Sequence, residues 1–279
     1  MNTSRRFVGK KVLVTGAGTG IGRELALAFG REGADVALHY LNEGDGASSA
    51  VEEISRLGNR AKSFSSDFQN VGEVIAVAED AIGFLGGIDV LVNNAGITFN
   101  KPLLKITPDQ FDLLYSVNVK AQLFLMQAAV NHMVAQGGAI LNMSSIHGLQ
   151  GAPEHSLYAG TKGAIIAQTR VLGIELAHKG IRVNALAPGW VVVDSHSKAF
   201  AGRTEESAMR DAYDTVPVGR AGLPNDIAKI ALFLCSEDAA FIIGQTIVAD
   251  GGTTALMSLI SDFRTESDAR CGIGYVPGV

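Results

Sequence analysis

The sequence predicts a single α/β domain built on a doubly wound, parallel, seven-stranded sheet with helices on both faces. Short runs rich in β-branched residues alternate with segments of helical periodicity. The runs are continuously apolar, as expected for strands that are covered by helices on both faces. These runs lie at residues 11–16, 34–40, 61–67, 88–96, 139–145, 181–189 and 245–252.

The segments between the strands carry apolar residues three and four positions apart, which indicates amphipathic helices. They lie at residues 22–31, 47–57, 71–83, 107–136, 156–179 and 225–236. No repeat, low-complexity tract or Pro/Ser-rich linker interrupts the alternation. We therefore predict one domain over residues 1–279, with a polar stretch at about 193–222 and a tail at about 253–279 outside the pattern.

The composition excludes several classes of protein. Hydrophobic residues make up 47% and charged residues 18% of the chain, which rules out a disordered protein. The formal charge of −5 gives no general attraction to phosphate polymers, so no nucleic-acid partner is expected. The N-terminus has no apolar segment long enough for a signal peptide, and polar residues break the stretch 121–140. We expect a cytoplasmic protein with no membrane span.

The cysteines and histidines predict neither a disulfide framework nor a metal site. Cys235 and Cys271 are the only cysteines and have no Cys-x-x-Cys spacing, and Cys235 lies in an apolar run typical of a core. The 6 histidines form no H-E-x-x-H or comparable ligand pattern.

A glycine-rich turn follows the first predicted strand. Gly16, Gly20 and Gly22 lie at the turn and in the first turn of the next helix, where side chains would block a phosphate. The spacing is G-x-x-x-G-x-G and differs from the common G-x-G-x-x-G. Alone, such a turn is as well explained by chain geometry as by a ligand.

Further motifs give the turn a context. T-G-x-x-x-G-x-G, N-N-A-G, Y-x-x-x-K and P-G occur in this order, and over residues 8–253 the chain resembles the short-chain dehydrogenase/reductase family. The resemblance implies a Rossmann-like fold that binds NAD or NADP. The implied cofactor-binding positions are Gly16, Thr19, Gly20, Ile21 and Gly22 in the turn, Asp67 and Phe68 at the adenine, Asn94, Ala95 and Gly96 at the adenosine, and Pro188, Gly189 and Val191 at the nicotinamide.

The end of the second strand bears on the choice between NAD and NADP, because an acidic side chain there would bond the ribose hydroxyls and repel a 2′-phosphate. Tyr40 occupies this position, and no acid is closer than Glu43. No Arg or Lys follows, however, and Thr19 stands where NADP-using relatives often have a base. The sequence leaves both cofactors open and slightly favours NADP.

A tyrosine, a lysine and a serine form the candidate catalytic set. Tyr158 and Lys162 are four residues apart and share one helix face, and Ser145 ends a strand thirteen positions earlier. Oxidising an alcohol releases a hydride and a proton, so we expect Tyr158 to transfer the proton, with its pKa lowered by the Lys162 ammonium and by oxidised nicotinamide. By resemblance, Lys162 also holds the nicotinamide ribose. Ser145 would bond the substrate oxygen.

Asn118 matches the asparagine that holds a proton-relay water in the family. The alternative is a buried asparagine that only satisfies backbone groups.

The remaining polar residues bear on the substrate. The stretch 193–222 lies where the family has a mobile substrate lid, from which His196, Lys198 and Arg203 could reach a substrate. His147 and His155, with Gln150 and Glu154, flank the loop between Ser145 and Tyr158. They favour a sugar or polyol, with a 3-oxoacyl thioester as the alternative substrate.

A third possibility is a dinucleotide-sensing protein without catalysis, which would be expected to lack one of Ser145, Tyr158 and Lys162. Val193 replaces a threonine that often assists cofactor binding in relatives. The resemblance implies a homotetramer, and the apolar tail is expected to reach towards a neighbour's active site.

Overall fold

The computed structural model describes residues 5–133, 136–193 and 204–257. Over this part of the chain, one sheet of seven parallel strands has the order β3-β2-β1-β4-β5-β6-β7, so the predicted fold class is confirmed. The strands are β1 (Lys11–Val14), β2 (Asp35–Tyr40), β3 (Ala61–Ser65), β4 (Val90–Asn93), β5 (Gly138–Met143), β6 (Ile181–Pro188) and β7 (Thr246–Ala249).

The strand order places the switch point beside β1. The chain runs outward from β1 to β2 and β3, then returns to the other side of β1 to form β4. Val14 is therefore flanked by Leu38 of β2 and Val92 of β4. In doubly wound folds the crevice at the carboxyl ends of such strands is where ligands bind.

Helices cover both faces of the sheet. They are α1 (Gly20–Arg31), α2 (Gly44–Arg56), α3 (Val71–Leu85), α4 (Pro108–Tyr115), α5 (Ala121–Met133), α6 (Ser156–Ala177), α7 (Glu205–Thr215) and α8 (Pro224–Cys235). Alternate residues of β1 enter separate cores: Val12 and Val14 pack on one face with Leu25 and Phe29 of α1, whereas Leu13 packs on the other.

The prediction of one continuous helix at 107–136 is wrong, because the segment forms two helices. A capping box between Thr107 and Gln110 starts α4, and a π-helical turn, Ser116–Lys120, separates α4 from α5. The apolar spacing continues through the turn, so periodicity alone predicts one helix. π-Helical turns are rare and occur frequently at functional sites.

The predicted strand 88–96 is too long at its carboxyl end. β4 ends at Asn93, and the N–H groups of Asn94 and Ala95 both donate to Thr15 Oγ1 at 3.0 Å instead of to a neighbouring strand. Thr15 Oγ1 in turn donates to Val92 O at 3.4 Å. One side chain therefore turns the N-N-A-G segment out of the sheet.

The polar stretch and the tail are only partly described. Within the stretch, Thr204 caps α7, which buries Ala208 and Ala212. Residues 194–203 and 258–279 lie outside the described ranges. No helix in the described part of the chain is long and apolar enough to cross a membrane.

Candidate active site

The glycine turn joins β1 to α1 in very little space. A Cβ on Gly22 would lie 2.0 Å from Gly16 O and 2.4 Å from Asn94 Nδ2, and a Cβ on Gly16 would lie 2.9 Å from Ala95 Cα. Gly16 and Gly20 also have positive φ angles of 63° and 56°. Only glycine fits these positions without moving the turn or the N-N-A-G segment.

The first turn of α1 offers backbone N–H groups to an anion. Thr19 is the N-cap residue, yet its side chain makes no capping hydrogen bond. The first N–H groups of a helix have no partner within the helix, and the helix dipole adds partial positive charge there. This end of α1 therefore fits a pyrophosphate group.

The predicted adenosine side lies between the ends of β2 and β3. The Tyr40 ring lies beside the start of α2, with Cε2 3.4 Å from the point where a Gly44 side chain would begin. Phe68 is buried and stacks on His39, with ring centroids 3.9 Å apart. Glu73 fixes the neighbouring residue by accepting the Asp67 N–H at 2.8 Å.

The opposite end of the crevice lies at the end of β6. Pro188 is its last residue, and a Cβ on Gly189 would lie 2.6 Å from Asp250 Cβ. Val191 is buried and pairs with Gly222 in an isolated bridge. The residues predicted to bind the dinucleotide thus follow the carboxyl edge from β3 to β6, and this arrangement fits an elongated NAD(P) molecule.

The structure brings Ser145, Tyr158 and Lys162 together beside that crevice. Ser145 follows β5, and its hydroxyl forms a hydrogen bond with the Tyr158 phenol. The Lys162 ammonium lies 5.5 Å from the centroid of the Tyr158 ring and donates to Met143 O at 2.8 Å. Gly96 adjoins this group, since a side chain there would begin 3.6 Å from Lys162 Nζ.

Burial shifts both titrating groups towards their neutral forms. It raises the pKa of the Tyr158 phenol, and the hydrogen bond with Ser145 opposes the rise only in part. It lowers the pKa of Lys162 to about 8, because the side chain is only 5% exposed. In the polypeptide alone, desolvation thus outweighs the lowering effect of Ser145 on the Tyr158 pKa. The lowering by Lys162 together with oxidised nicotinamide stays a prediction.

Asn118 lies in the π-helical turn and is 1% exposed. Its Oδ1 accepts the Ile97 N–H at 2.8 Å, and its Nδ2 donates to Ile97 O at 2.9 Å and to Thr161 Oγ1 at 3.1 Å. The side chain thus bonds backbone groups, as the alternative interpretation predicts. It also links the segment after β4 to α6, and so places the turn next to the catalytic set.

Two histidines form one wall beside Tyr158. His147 and His155 stack in parallel with ring centroids 4.4 Å apart, and His147 meets the Tyr158 ring edge-on at 5.8 Å. Pro153 O accepts a hydrogen bond from His155 Nδ1 at 2.7 Å, so this nitrogen carries the proton. Burial, followed by the nearby His155, lowers the pKa of His147.

The loop between the two histidines is tied to its surroundings. Glu154 has φ 66°, the only positive φ of a non-glycine residue in the described ranges, and its carbonyl accepts the Lys101 N–H at 2.9 Å. Gln150 Nε2 donates to Thr254 O at 3.3 Å, which links the loop to the start of the tail. The predicted contacts His196, Lys198 and Arg203 lie outside the described residues.

Sequence reasoning missed two residues that support the site. Thr15 is part of the T-G motif but was not assigned a task there. His39 is the only polar side chain within the buried part of β2 and bonds the glycine turn. The signal for His39 is a lone polar residue in an apolar strand, which in the sequence alone has no visible partner.

Comparisons with known proteins agree with this geometry. A family model described as enoyl-(acyl carrier protein) reductase matches residues 16–254. Two proteins of Emericella nidulans, a short chain dehydrogenase and a versicolorin reductase, are each 37% identical over 254 residues, covering 88% of this chain and 96% of theirs.

Solved structures of dehydrogenases are similar to this chain in fold and in sequence. A 7 alpha-hydroxysteroid dehydrogenase complexed with NADH and 7-oxo glycochenodeoxycholic acid has a TM-score of 0.83 at 35% identity, covering 90% of this chain and 97% of that chain. A short chain dehydrogenase from Burkholderia cenocepacia in complex with NADP has a TM-score of 0.81 at 32% identity, covering 89% and 99%. The chain belongs to the short-chain dehydrogenase/reductase family and is an oxidoreductase.

Proposed function

We propose that the protein is an NAD(P)-dependent enzyme that interconverts a carbonyl and a secondary alcohol, with Tyr158 as the acid/base residue. The convergence of Ser145, Tyr158 and Lys162 beside the glycine turn carries this proposal. A non-catalytic sensor of dinucleotides has no need for this convergence.

Each catalytic side chain has a separate task. Bound NAD(P) would supply or accept the hydride at the substrate carbon. In the reduction, the Tyr158 phenol donates its proton to the carbonyl oxygen, and Ser145 donates a hydrogen bond to the same atom. Lys162 holds positive charge near Tyr158 and would bond the cofactor ribose. Asn118 would hold the relay water.

The protonated form of Tyr158 suits the reduction step. Burial raises the pKa of this phenol, which keeps it protonated at neutral pH. The protonated phenol is the form that reduction consumes, whereas oxidation needs the phenolate. The versicolorin reductase relative is named for a reduction as well.

The cofactor proposal covers both NAD and NADP, because similar solved proteins hold NADH in one case and NADP in another. Thr19 stands where NADP-using relatives often have a base and does not support NADP, but the lack of an acid at the Tyr40 position leaves a slight preference for NADP. Glu43 opposes it: its Cβ lies 2.5 Å from the point where a side chain on Gly18 would begin, so this acid adjoins the glycine turn. Initial rates at equal concentrations of NADH and NADPH decide the preference.

The substrate we propose is a hydroxylated cyclic ketone. The stacked rings of His147 and His155 form a flat wall at Tyr158, which suits a ring more than a flexible chain. Their ring nitrogens suit hydroxyl groups, and this feature also supports the sugar or polyol that the sequence favoured. The family model's description, which names an acyl carrier protein, supports the 3-oxoacyl thioester as the alternative.

A substrate panel separates these classes. It contains hydroxylated bicyclic ketones, cyclic polyols, aldoses, steroids and a 3-oxoacyl thioester, each assayed with both cofactors. Activity confined to the thioester would overturn the cyclic substrate. Activity on none of them, with intact dinucleotide binding, would favour the sensor.

The proposal extends to assembly and location. Val171 and Ile174 of α6 and Phe111 of α4 are exposed apolar residues, which supports burial of this face in a homotetramer. We further propose that α7 belongs to the substrate lid and that the enzyme is cytoplasmic. Sedimentation equilibrium tests the assembly, and a stable monomer would contradict it.

Tyr158→Phe tests the central role of the phenol. Loss of the general acid should lower kcat by about 10²- to 10⁴-fold, while the Kd for NADH stays nearly unchanged. Tyr115→Phe is the matched control for loss of a neighbouring hydroxyl: the Tyr115 ring stacks on Phe111, and its hydroxyl packs against Gly160 of α6 without taking part in the proposed proton transfer. A Tyr158→Phe enzyme that keeps a substantial rate would refute the assignment.

A further inference from the structure

His39 is the next-to-last residue of β2, is 3% exposed, and both of its ring nitrogens are hydrogen-bonded to backbone groups. The Gly16 N–H donates to Nδ1 at 3.2 Å, and Nε2 donates to Ser66 O at 3.0 Å. An N–H group can only donate and a carbonyl can only accept, so Nδ1 is unprotonated and Nε2 carries the proton. The ring is therefore neutral, in agreement with burial lowering its pKa to about 4.

The same residue contacts the two segments at opposite ends of the adenosine side. Gly16 begins the glycine turn, and the His39 carbonyl accepts the N–H of the next residue, Ala17, at 2.7 Å. On the other side, the imidazole ring stacks on Phe68 with an interplanar angle of 6°. The positions of the turn and of Phe68 are thus both defined relative to one imidazole ring.

We propose that His39 is a positioning residue for the dinucleotide. It holds the glycine turn and Phe68 at the separation that the ADP portion of the dinucleotide requires. This inference rests on the proposed binding of NAD(P). Without the Nδ1 acceptor, the partly buried Gly16 N–H loses its hydrogen-bond partner, and the turn can rotate away from its binding geometry. Ordering the turn again would then weaken cofactor binding.

Two near-isosteric variants separate the two hydrogen bonds. In His39→Asn the side-chain oxygen can occupy the place of Nδ1 and keep the Gly16 bond. In His39→Gln the terminal amide nitrogen can occupy the place of Nε2, which keeps only the Ser66 bond. A purely structural role predicts similar effects of the two variants on cofactor affinity, whereas the positioning role predicts different ones.

The experiment measures the Kd for NADH and for NADPH by calorimetry, alongside urea unfolding. We expect Kd to rise about tenfold in His39→Gln and less than about threefold in His39→Asn, as for one lost hydrogen bond to a buried group. Asn184→Leu is the matched control, because Asn184 is also a buried strand residue that bonds two backbone groups, Ile242 O and the Gln245 N–H. It should lose stability with no change in Kd.

The outcomes are distinct. Equal Kd values in the wild type and His39→Gln overturn the proposal, and so does a tenfold weakening in the Asn184→Leu control. If His39→Gln does not fold, His39→Phe takes its place, since it keeps a ring against Phe68 and loses both hydrogen bonds; the same tenfold weakening is expected. A wild type that binds neither dinucleotide would instead refute the proposed function.

Discussion

An alanine at Gly22 has no room for its methyl group. The added Cβ would lie 2.0 Å from Gly16 O and 2.4 Å from Asn94 Nδ2. The Asn94 amide donates to Thr15 O at 2.9 Å and to Gly16 O at 3.2 Å, so it cannot retreat without losing both bonds. The turn must therefore open, and the N-N-A-G segment must move away from it.

The magnitude follows from these contacts. Overpacking costs about 1–3 kcal/mol, and the two hydrogen bonds add roughly 1 kcal/mol each. Alanine gains up to about 1 kcal/mol over glycine in a helix. The net expectation for Gly22→Ala is a loss of roughly 2–4 kcal/mol in the free energy of unfolding, together with loss of NADH binding.

Gly83→Ala is the matched control. Gly83 lies within α3, is exposed, and has no atom within 4 Å of a Cβ placed on it. The same substitution should therefore stabilise the protein by about 0.5–1 kcal/mol and leave NADH binding intact. Urea unfolding and NADH titration measure both effects. Equal stability and equal NADH affinity in the two variants would refute the close packing of the turn.

Three further predictions concern charge and recognition. Glu43→Gln removes an exposed charge beside the turn and should shift the ratio of kcat/KM for the two cofactors towards NADPH by about twofold to fivefold. Salt should weaken this effect, and an unchanged ratio would exclude Glu43 from the choice between NADH and NADPH. Burial lowers the Lys162 pKa from 10.5 to about 8, so between these values only the unfolded chain holds the proton and stability rises with pH. Relative to Lys162→Met, the wild type should gain up to about 3 kcal/mol across that range, and a constant difference would contradict the buried pKa. His147→Phe keeps the stacked wall but removes its nitrogens, and should raise KM for hydroxylated substrates about threefold to tenfold while kcat changes little.

The fold was predictable because parallel strands are apolar on both faces and because glycine spacing marks the turn. The ends of helices and strands were less predictable wherever a side chain, instead of a neighbouring strand, forms the hydrogen bond with a backbone N–H group. Thr15 ends β4 by accepting two N–H groups, and no periodicity in residues 88–96 signals this. The π-helical turn was missed for a similar reason, since Asn118 within it bonds Ile97 through a tertiary contact that the sequence does not show.

Motifs identified which residues converge, but they did not supply their electrostatics. The motif predicts a phenol pKa lowered by Lys162 and oxidised nicotinamide together, whereas burial raises the pKa of Tyr158 in the polypeptide alone. Burial depends on packing from several elements, and a sequence motif contains only one of them. The stacking of His147 on His155 was equally invisible, because it follows from the path of the intervening loop.

Hydrogen bonds from buried polar residues on neighbouring elements support the candidate catalytic residues on the side away from the crevice. Ser144 Oγ donates to Lys162 O at 2.9 Å, and Lys162 Nζ donates to Met143 O, so β5 and α6 are joined at the catalytic lysine. Asn142 continues this link away from the active site, since its Nδ2 donates to Thr169 Oγ1 at 3.0 Å. A site fixed by such bonds has little conformational entropy left to lose when substrate binds. The adjustable parts of recognition are then the His147–His155 wall and the segments around it, which explains why the motifs predict a reaction but not its substrate.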